Sequence, residues 1–341
     1  MDIFILDKNL NVIDLIDTFK SFIWTDRFSE CGDFELVSDP DGGLLFKIQN
    51  GYYLDINDSE HTMIVEDIKL TYDEEEGYIL SFTGRSLESM LDRRIIWGKK
   101  TVSGNLQNII KNLLDETIIN PSDQNRKIDN FIFEESTDES ITSLTYNKEY
   151  DCDNLYDVIK EICDDAEIGF KIILKDKTFV FSLYRGINRS YDQEIVPCVI
   201  FSREYENLPE SNYVESLSSY KNVVLVKSGD DNSRKYKTVG EGTGLERREM
   251  VTDCNSSDNN VSEDILMEQS GKTALIENSE IVAFEGPANM DGNFKYGIDF
   301  FMGDIVHVSN DYGSEGASRM IELVISEDES GLIMYPTFKS I

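Results

Sequence analysis

Met63-Ile64-Val65-Glu66-Asp67-Ile68-Lys69-Leu70, the acidic turn Asp73-Glu74-Glu75-Glu76-Gly77 and the return Tyr78-Ile79-Leu80-Ser81-Phe82 decide the fold class. Met63, Val65, Ile68 and Leu70 partly alternate, as on a strand with one buried face, and four acids ending in glycine make the solvated tip of a hairpin. The pattern returns near the far end of the sequence. Ile321-Glu322-Leu323-Val324 leads through Glu327-Asp328-Glu329-Ser330-Gly331 to Leu332-Ile333-Met334. Upstream of the two hairpins lie similar strands, Tyr53-Leu54-Asp55-Ile56 and Gly303-Asp304-Ile305-Val306. Alternation and acidic turns also recur by chance. Read as a repeat, the echo gives two related β domains near opposite ends of the chain.

Around this frame the signal is mixed. Ile3 to Leu6, the turn Asp7-Lys8-Asn9 and Val12 to Ile16 read as an opening hairpin, and Trp24, Phe28, Phe34 and Leu36 continue the strands. From about residue 104 the period becomes helical. Leu106, Ile109, Ile110, Leu113 and Leu114 share one face, as do Leu155, Val158, Ile159 and Ile162. Phe170–Leu174 and Thr178–Leu183 read as a second hairpin, with 121–125 and 134–143 as surface loops. Strands return at Val199–Phe201, Tyr220–Val226 and Lys235–Val239. A polar loop at Asp253–Glu263, a helix at Asp264–Glu277 and closing strands at Asp304–Val308, Arg319–Ile325 and Leu332–Tyr335 follow.

Composition bounds the partners. The 341 residues hold 66 acidic and 32 basic side chains, a net charge of −34 spread through the whole sequence, with no basic stripe. Stable nucleic-acid binding needs clustered Lys and Arg, as does an anionic membrane surface, so neither is expected. No run approaches a membrane span and Met1-Asp2-Ile3-Phe4 is not an export signal, so no membrane anchor is expected. Five cysteines without C-x-x-C spacing are not a disulfide framework.

Chemistry is sparse. His61 and His307 are the only histidines and neither lies in a nucleophile motif, so no catalytic residue is assigned. No cysteine and histidine cluster has zinc spacing, and no cofactor or metal site is expected. Gly271-Lys272-Thr273 lacks the upstream glycine of a phosphate loop, and Gly240-Glu241-Gly242-Thr243-Gly244 reads as a hairpin tip. Asp253, Asn255, Asp258 and Glu263, or Asp230-Asp231-Asn232, bring oxygen ligands together without the spacing of a calcium loop. A carboxylate pair acting on a glycoside stays open, because its diagnostic is a distance in space.

Several segments, in order, resemble the baseplate hub proteins of tailed bacteriophages, the family that includes the N-terminal part of siphophage tail-associated proteins. They are Ile5 to Leu10, Phe22 to Phe28, Gly32 to Leu36, Phe201 to Leu208 with Tyr213, Lys221-Asn222-Val223, Leu245 to Glu249 and Met302 to Val306. Thr83-Gly84-Arg85-Ser86-Leu87, followed by Leu91 to Ile95, is the most specific. The resemblance implies an α+β fold of two related antiparallel β-barrel-like domains with an α/β domain between them. The first barrel covers 1–100, completed by strands from about 198–226; the α/β domain covers 101–197; the second barrel, with one helix, covers 198–341. It implies a homotrimeric adaptor at the virion tail tip, folded in the bacterial host cytoplasm, that joins a sixfold ring to threefold tip structures. The implied partners are a hexameric distal tail ring or tail tube protein, and a tape measure protein or tip spike. Longer relatives carry lytic or receptor-binding extensions, which a chain stopping at Ile341 is not expected to have. The rival readings are a cell-wall glycosidase and a host-surface carbohydrate adhesin using the loops at 121–143 or 228–262.

Overall fold

The computed structural model describes residues 1–40, 43–75, 77–208, 212–229, 233–254, 261–286, 293–313 and 315–341. The first strands follow the hydrophobic pattern closely: β1 (Ile3–Leu6), β2 (Val12–Ile16), β3 (Ser21–Arg27), β4 (Asp33–Ser38), a single helical turn α1 (Leu44–Lys47), β5 (Tyr53–Ile56), β6 (Thr62–Asp73) and β7 (Gly77–Ser86). Asp7 closes the opening turn by accepting from the amides of Asn9 and Asn11 at 2.8 and 2.9 Å. That is the local bonding that favours Asx residues in turns.

The middle region contains β8 (Lys99–Asn105), α2 (Leu106–Leu114), β9 (Phe131–Glu134), α3 (Glu139–Thr142), β10 (Thr145–Asp151), α4 (Leu155–Asp165), β11 (Gly169–Lys175) and β12 (Thr178–Tyr184). Asn105 caps α2 through the amide of Asn108 and Asn154 caps α4 through that of Tyr156. Ile110, Leu114, Ile159 and Ile162 turn inward against Phe170 and Phe181, forming a separate core. The stretch read as a loop at 134–143 holds the end of β9 and all of α3.

After β13 (Ile200–Phe201) and β14 (Asn212–Ser216) comes a small unit of β15 (Val223–Ser228), β16 (Lys235–Gly240), β17 (Glu249–Cys254) and α5 (Glu263–Glu277). Its sheet runs β16-β15-β17, with Val224, Val226 and Val239 packed on Leu266 and Met267. The glycine-rich segment 240–244 is not a hairpin tip. It carries the chain across β15 from one flank to the other, so that β17 lies parallel to β15. Gly271 is explained by packing and not by phosphate: a Cβ there would meet Val239 Cγ2 at 2.5 Å. Helix and sheet approach too closely for a side chain.

The final strands are β18 (Ile281–Glu285), β19 (Ile305–Ser309), β20 (Glu315–Asp328) and β21 (Gly331–Ser340). They join the first seven in one thirteen-stranded sheet whose main path is β14-β18-β21-β20-β3-β4-β7-β6-β5-β1-β2, with β13 and β19 branching from β20. The path is open, with β14 and β2 at its ends, so the described strands form a mostly antiparallel α+β fold without a closed barrel. The reason lies in β20, long enough to pair with β19 through its first residues and with β3 through its last. One core runs beneath both halves, from Phe22, Trp24 and Phe82 to Val306, Leu323 and Phe338. The strands of 198–226 do not complete the first half: β13 pairs with β19, β14 with β18, and β15 belongs to the small unit.

The echoed hairpins occupy corresponding strands of the sheet. Both carry a bulge, between Val65 and Asp67 on β6 and between Met320 and Glu322 on β20. Gly51 donates to the Val65 carbonyl and Gly303 to that of Met320, while Val65 and Met320 donate back to Tyr52 and Asp304. Asp73 accepts from the Glu75 amide and Asp328 from that of Ser330, at 2.8 and 2.7 Å. The match therefore sets Asp67 on Glu322, one residue away from the register read in the sequence. The extra residue of each bulge hides that shift.

The Thr83-Gly84-Arg85 segment owes its composition to this bulge. A Cβ on Gly84 would lie 1.8 Å from the Ile64 carbonyl oxygen, and Arg85 grips the bulged Glu66 with Nε and Nη2 at 2.8 and 2.9 Å. Gly84→Ala is expected to destabilise the protein by about 1–3 kcal/mol, the usual penalty for overpacking, read as a lower urea midpoint.

Candidate functional site

Two polar features stand where the units meet. The first is fully buried between the sheet, the turn after β7 and β11. Asp26 on β3 accepts from Trp24 Nε1 at 2.9 Å and from Ser59 Oγ at 2.7 Å. His61, only 3% exposed, presents Nδ1 to Glu88 Oε1 at 3.3 Å. The same carboxylate oxygen accepts the amide of Ile172 on β11 at 2.6 Å.

Electrostatics fixes the charges. Burial opposes the imidazolium, but Asp26 and then Glu88 outweigh it and raise His61 to about 9. Burial likewise opposes ionised Glu88, yet the His61 charge and its hydrogen bonds hold that carboxyl below its ordinary value, while burial pushes Asp26 up. His61 and Glu88 therefore form a buried ion pair that pins β11 to the sheet. A raised histidine stabilises the fold fully below the unfolded value near 6.5 and loses that contribution as pH climbs through about 9. Stability is expected to fall between pH 7 and 10, and His61→Gln to flatten that decline in urea titrations at each pH.

The second feature is a cleft of about 990 Å³ walled by the sheet, α4 and α5. Arg27 and Lys160 line it but are engaged: Arg27 bonds Asp33 and Glu322, and Lys160 pairs with Glu30 and Asp164. Glu161 and Asp165 line the cleft, and Tyr146 Oη lies 2.8 Å from Glu161 Oε1 and 3.1 Å from Asp165 Oδ2. Lys148 Nζ holds Glu161 at 2.6 Å, and Gln269 and Thr273 of α5 donate to Asp165. Burial raises Asp165 to about 6, with neighbouring Glu161 adding to the effect. A tyrosine has one proton to donate, so Tyr146 donates to one of the two carboxyl groups at a time. This arrangement clasps α5 to α4.

The residues singled out in the sequence are not brought together. His307 on β19 sets its ring at a tilt against Tyr191, 4.6 Å between centroids, and has no part in the Asp26 cluster. Asp253 pairs with Lys227, and Glu263 accepts from Ser228 Oγ and pairs with Lys235. Asn255, Asp258 and Asp230-Asp231-Asn232 lie outside the described residues. Among the described residues no group of three His, Cys, Asp or Glu side chains could hold a metal. No described helix is long and apolar enough to cross a membrane. Sequence reading missed the joining role of His61, Asp26 and Glu88; a buried strand context around His61 was its only signal.

The whole-chain fold recurs in solved tail proteins. The tail protein of Neisseria meningitidis MC58 superposes with a TM-score of 0.59 at 14% identity, covering 99% of this chain and 96% of that one. The 43 kDa tail protein of prophage MuSo2 from Shewanella oneidensis gives 0.60 at 12% identity, with coverages of 100% and 98%. The prophage tail protein gp18 of Listeria monocytogenes EGD-e gives 0.56 at 12%, with coverages of 100% and 95%. No curated protein sequence matches the chain. A model of the family described as Siphovirus ReqiPepy6 Gp37-like protein matches residues 2–338.

Proposed function

From the premise that the chain belongs to the Siphovirus ReqiPepy6 Gp37-like protein family and has the fold of phage tail proteins, we propose that it is a structural baseplate hub. In this reading three copies form an adaptor at the virion tail tip, between a hexameric distal tail ring or tail tube protein and a tape measure protein or tip spike. The observation that carries it is the repeat. Each chain offers two hairpins of matching bulge, turn and strand neighbours, so three chains present six near-equivalent β units to a sixfold ring while keeping threefold symmetry for the tip. The partition into a first β unit (1–100), an α/β unit (101–197) and a second β unit (198–341) belongs to the same proposal. Such a role asks for surfaces and not for an arranged acid and base.

Light scattering tests this directly. A mass of three 39.0 kDa chains is expected, with association strengthening as salt screens the −34 charge on each. A persistent monomer, even with its ring partner present, overturns the reading. The same preparation is expected to release no reducing ends from peptidoglycan; hydrolysis abolished by Glu161→Gln or Asp165→Asn would favour the glycosidase instead.

A further inference from the structure

The two halves of the sheet meet within one chain at a single seam, β20 against β3, from Glu322 opposite Arg27 to Asp328 opposite Ser21. The repeat assigns each side of that seam a counterpart. β6 corresponds to β20 by bulge and turn. β14 corresponds to β3, because β3 reaches Gly84 of β7 through Phe34 of β4, and β14 reaches Phe338 of β21 through Phe284 of β18.

The counterpart seam, β6 against β14, is not made inside the chain. Six strands of the main path separate the two. From Asp67 to Thr71, β6 has β7 on one side, whereas β5 stops at Thr62–Ile64 and no described strand follows on the other. β14 ends the path, with β18 its sole strand neighbour among the described residues. Both edges are antiparallel and neither is blunted by proline, the condition in which an edge templates another strand.

We infer that β6 of one copy pairs antiparallel with β14 of the next, remaking between chains the seam already made within each. Carrying the internal register across sets Asp67 opposite Ser216, Lys69 opposite Val214 and Leu70 opposite Tyr213. Leu70, 46% exposed in the single chain, takes the place of Ile325, which is fully buried opposite Trp24. The contact is head to tail, so repeated copies close into a ring or continue as a filament. Closure at three copies rests on the hub reading; the seam does not.

Mixing two single-site variants tests it, in a Cys152→Ser background that removes an exposed native thiol. Lys69→Cys and Val214→Cys, mixed and treated with a short bismaleimide, are expected to give a linked dimer that neither gives alone. Lys69→Cys mixed with Glu215→Cys, whose side chain points to the other face, is expected to give several-fold less. Copies that associate by light scattering without the mixed product, or that link equally well through Glu215→Cys, overturn the seam and leave the hub standing. Filaments whose copies link through Lys69→Cys and Val214→Cys support the seam and overturn the ring. No association at any concentration overturns both.

Discussion

Trp24→Ala is expected to be the most damaging single substitution, costing about 3–5 kcal/mol for the lost aromatic volume and about 1–3 kcal/mol for the buried hydrogen bond it breaks. Trp24 is wholly buried on β3, between Phe22 and Phe34, at the strand that joins the two halves of the sheet. Its indole N–H also solvates Asp26 where water does not reach. Trp24→Phe keeps most of the packing and removes that donor, so it should show the smaller cost alone. Urea denaturation followed by circular dichroism separates the two variants by their midpoints.

Glu88→Ala comes next, at about 3–5 kcal/mol, because removing one partner of a buried ion pair strands the other. The His61 imidazolium would keep Asp26 and Glu60 as nearby anions, and the Ile172 amide would lose its acceptor. The loss should fall on the joint between the sheet and β11. His61→Ala combined with Glu88→Ala is expected to cost clearly less than the sum of the two, since the second change removes the charge the first leaves unmatched. Strict additivity would show that the pair does not act as one unit.

The hairpins and helices were legible because their causes are local. Asp73 and Asp328 close their turns with bonds two residues away, and Asn105 and Asn154 cap helices whose apolar faces are spaced by the helical period. Antiparallel strands around an α/β insert followed from the same signals, and so did the echo between the hairpins. What escaped the sequence is pairing at long range. Nothing in Ser21–Arg27 names Glu322–Asp328 as its neighbour, so the first and last strands read as separate closed domains when they share one sheet.

The candidate site was hidden for a similar reason. Asp26, His61 and Glu88 are scattered along the chain, each unremarkable among so many acids, and only the docking of β11 brings them into one buried set. Likewise Asp165 meets Gln269 and Thr273 only when α5 settles on α4. The glycines of 240–244 were visible as a turn, but their direction was not, because a crossover and a hairpin tip call for the same flexible residues.

The seam between β3 and β20 also governs the order of events during synthesis. Arg27 and Glu322 are 295 residues apart, so one edge of β3 waits while almost everything between them is translated. At roughly 5–20 residues per second that wait lasts on the order of 15–60 seconds. Closure across so long a loop is also slow in a refolding chain. Hydrogen exchange pulsed during refolding should therefore protect the amides of α2 and α4, with their local bonds, well before those of β3.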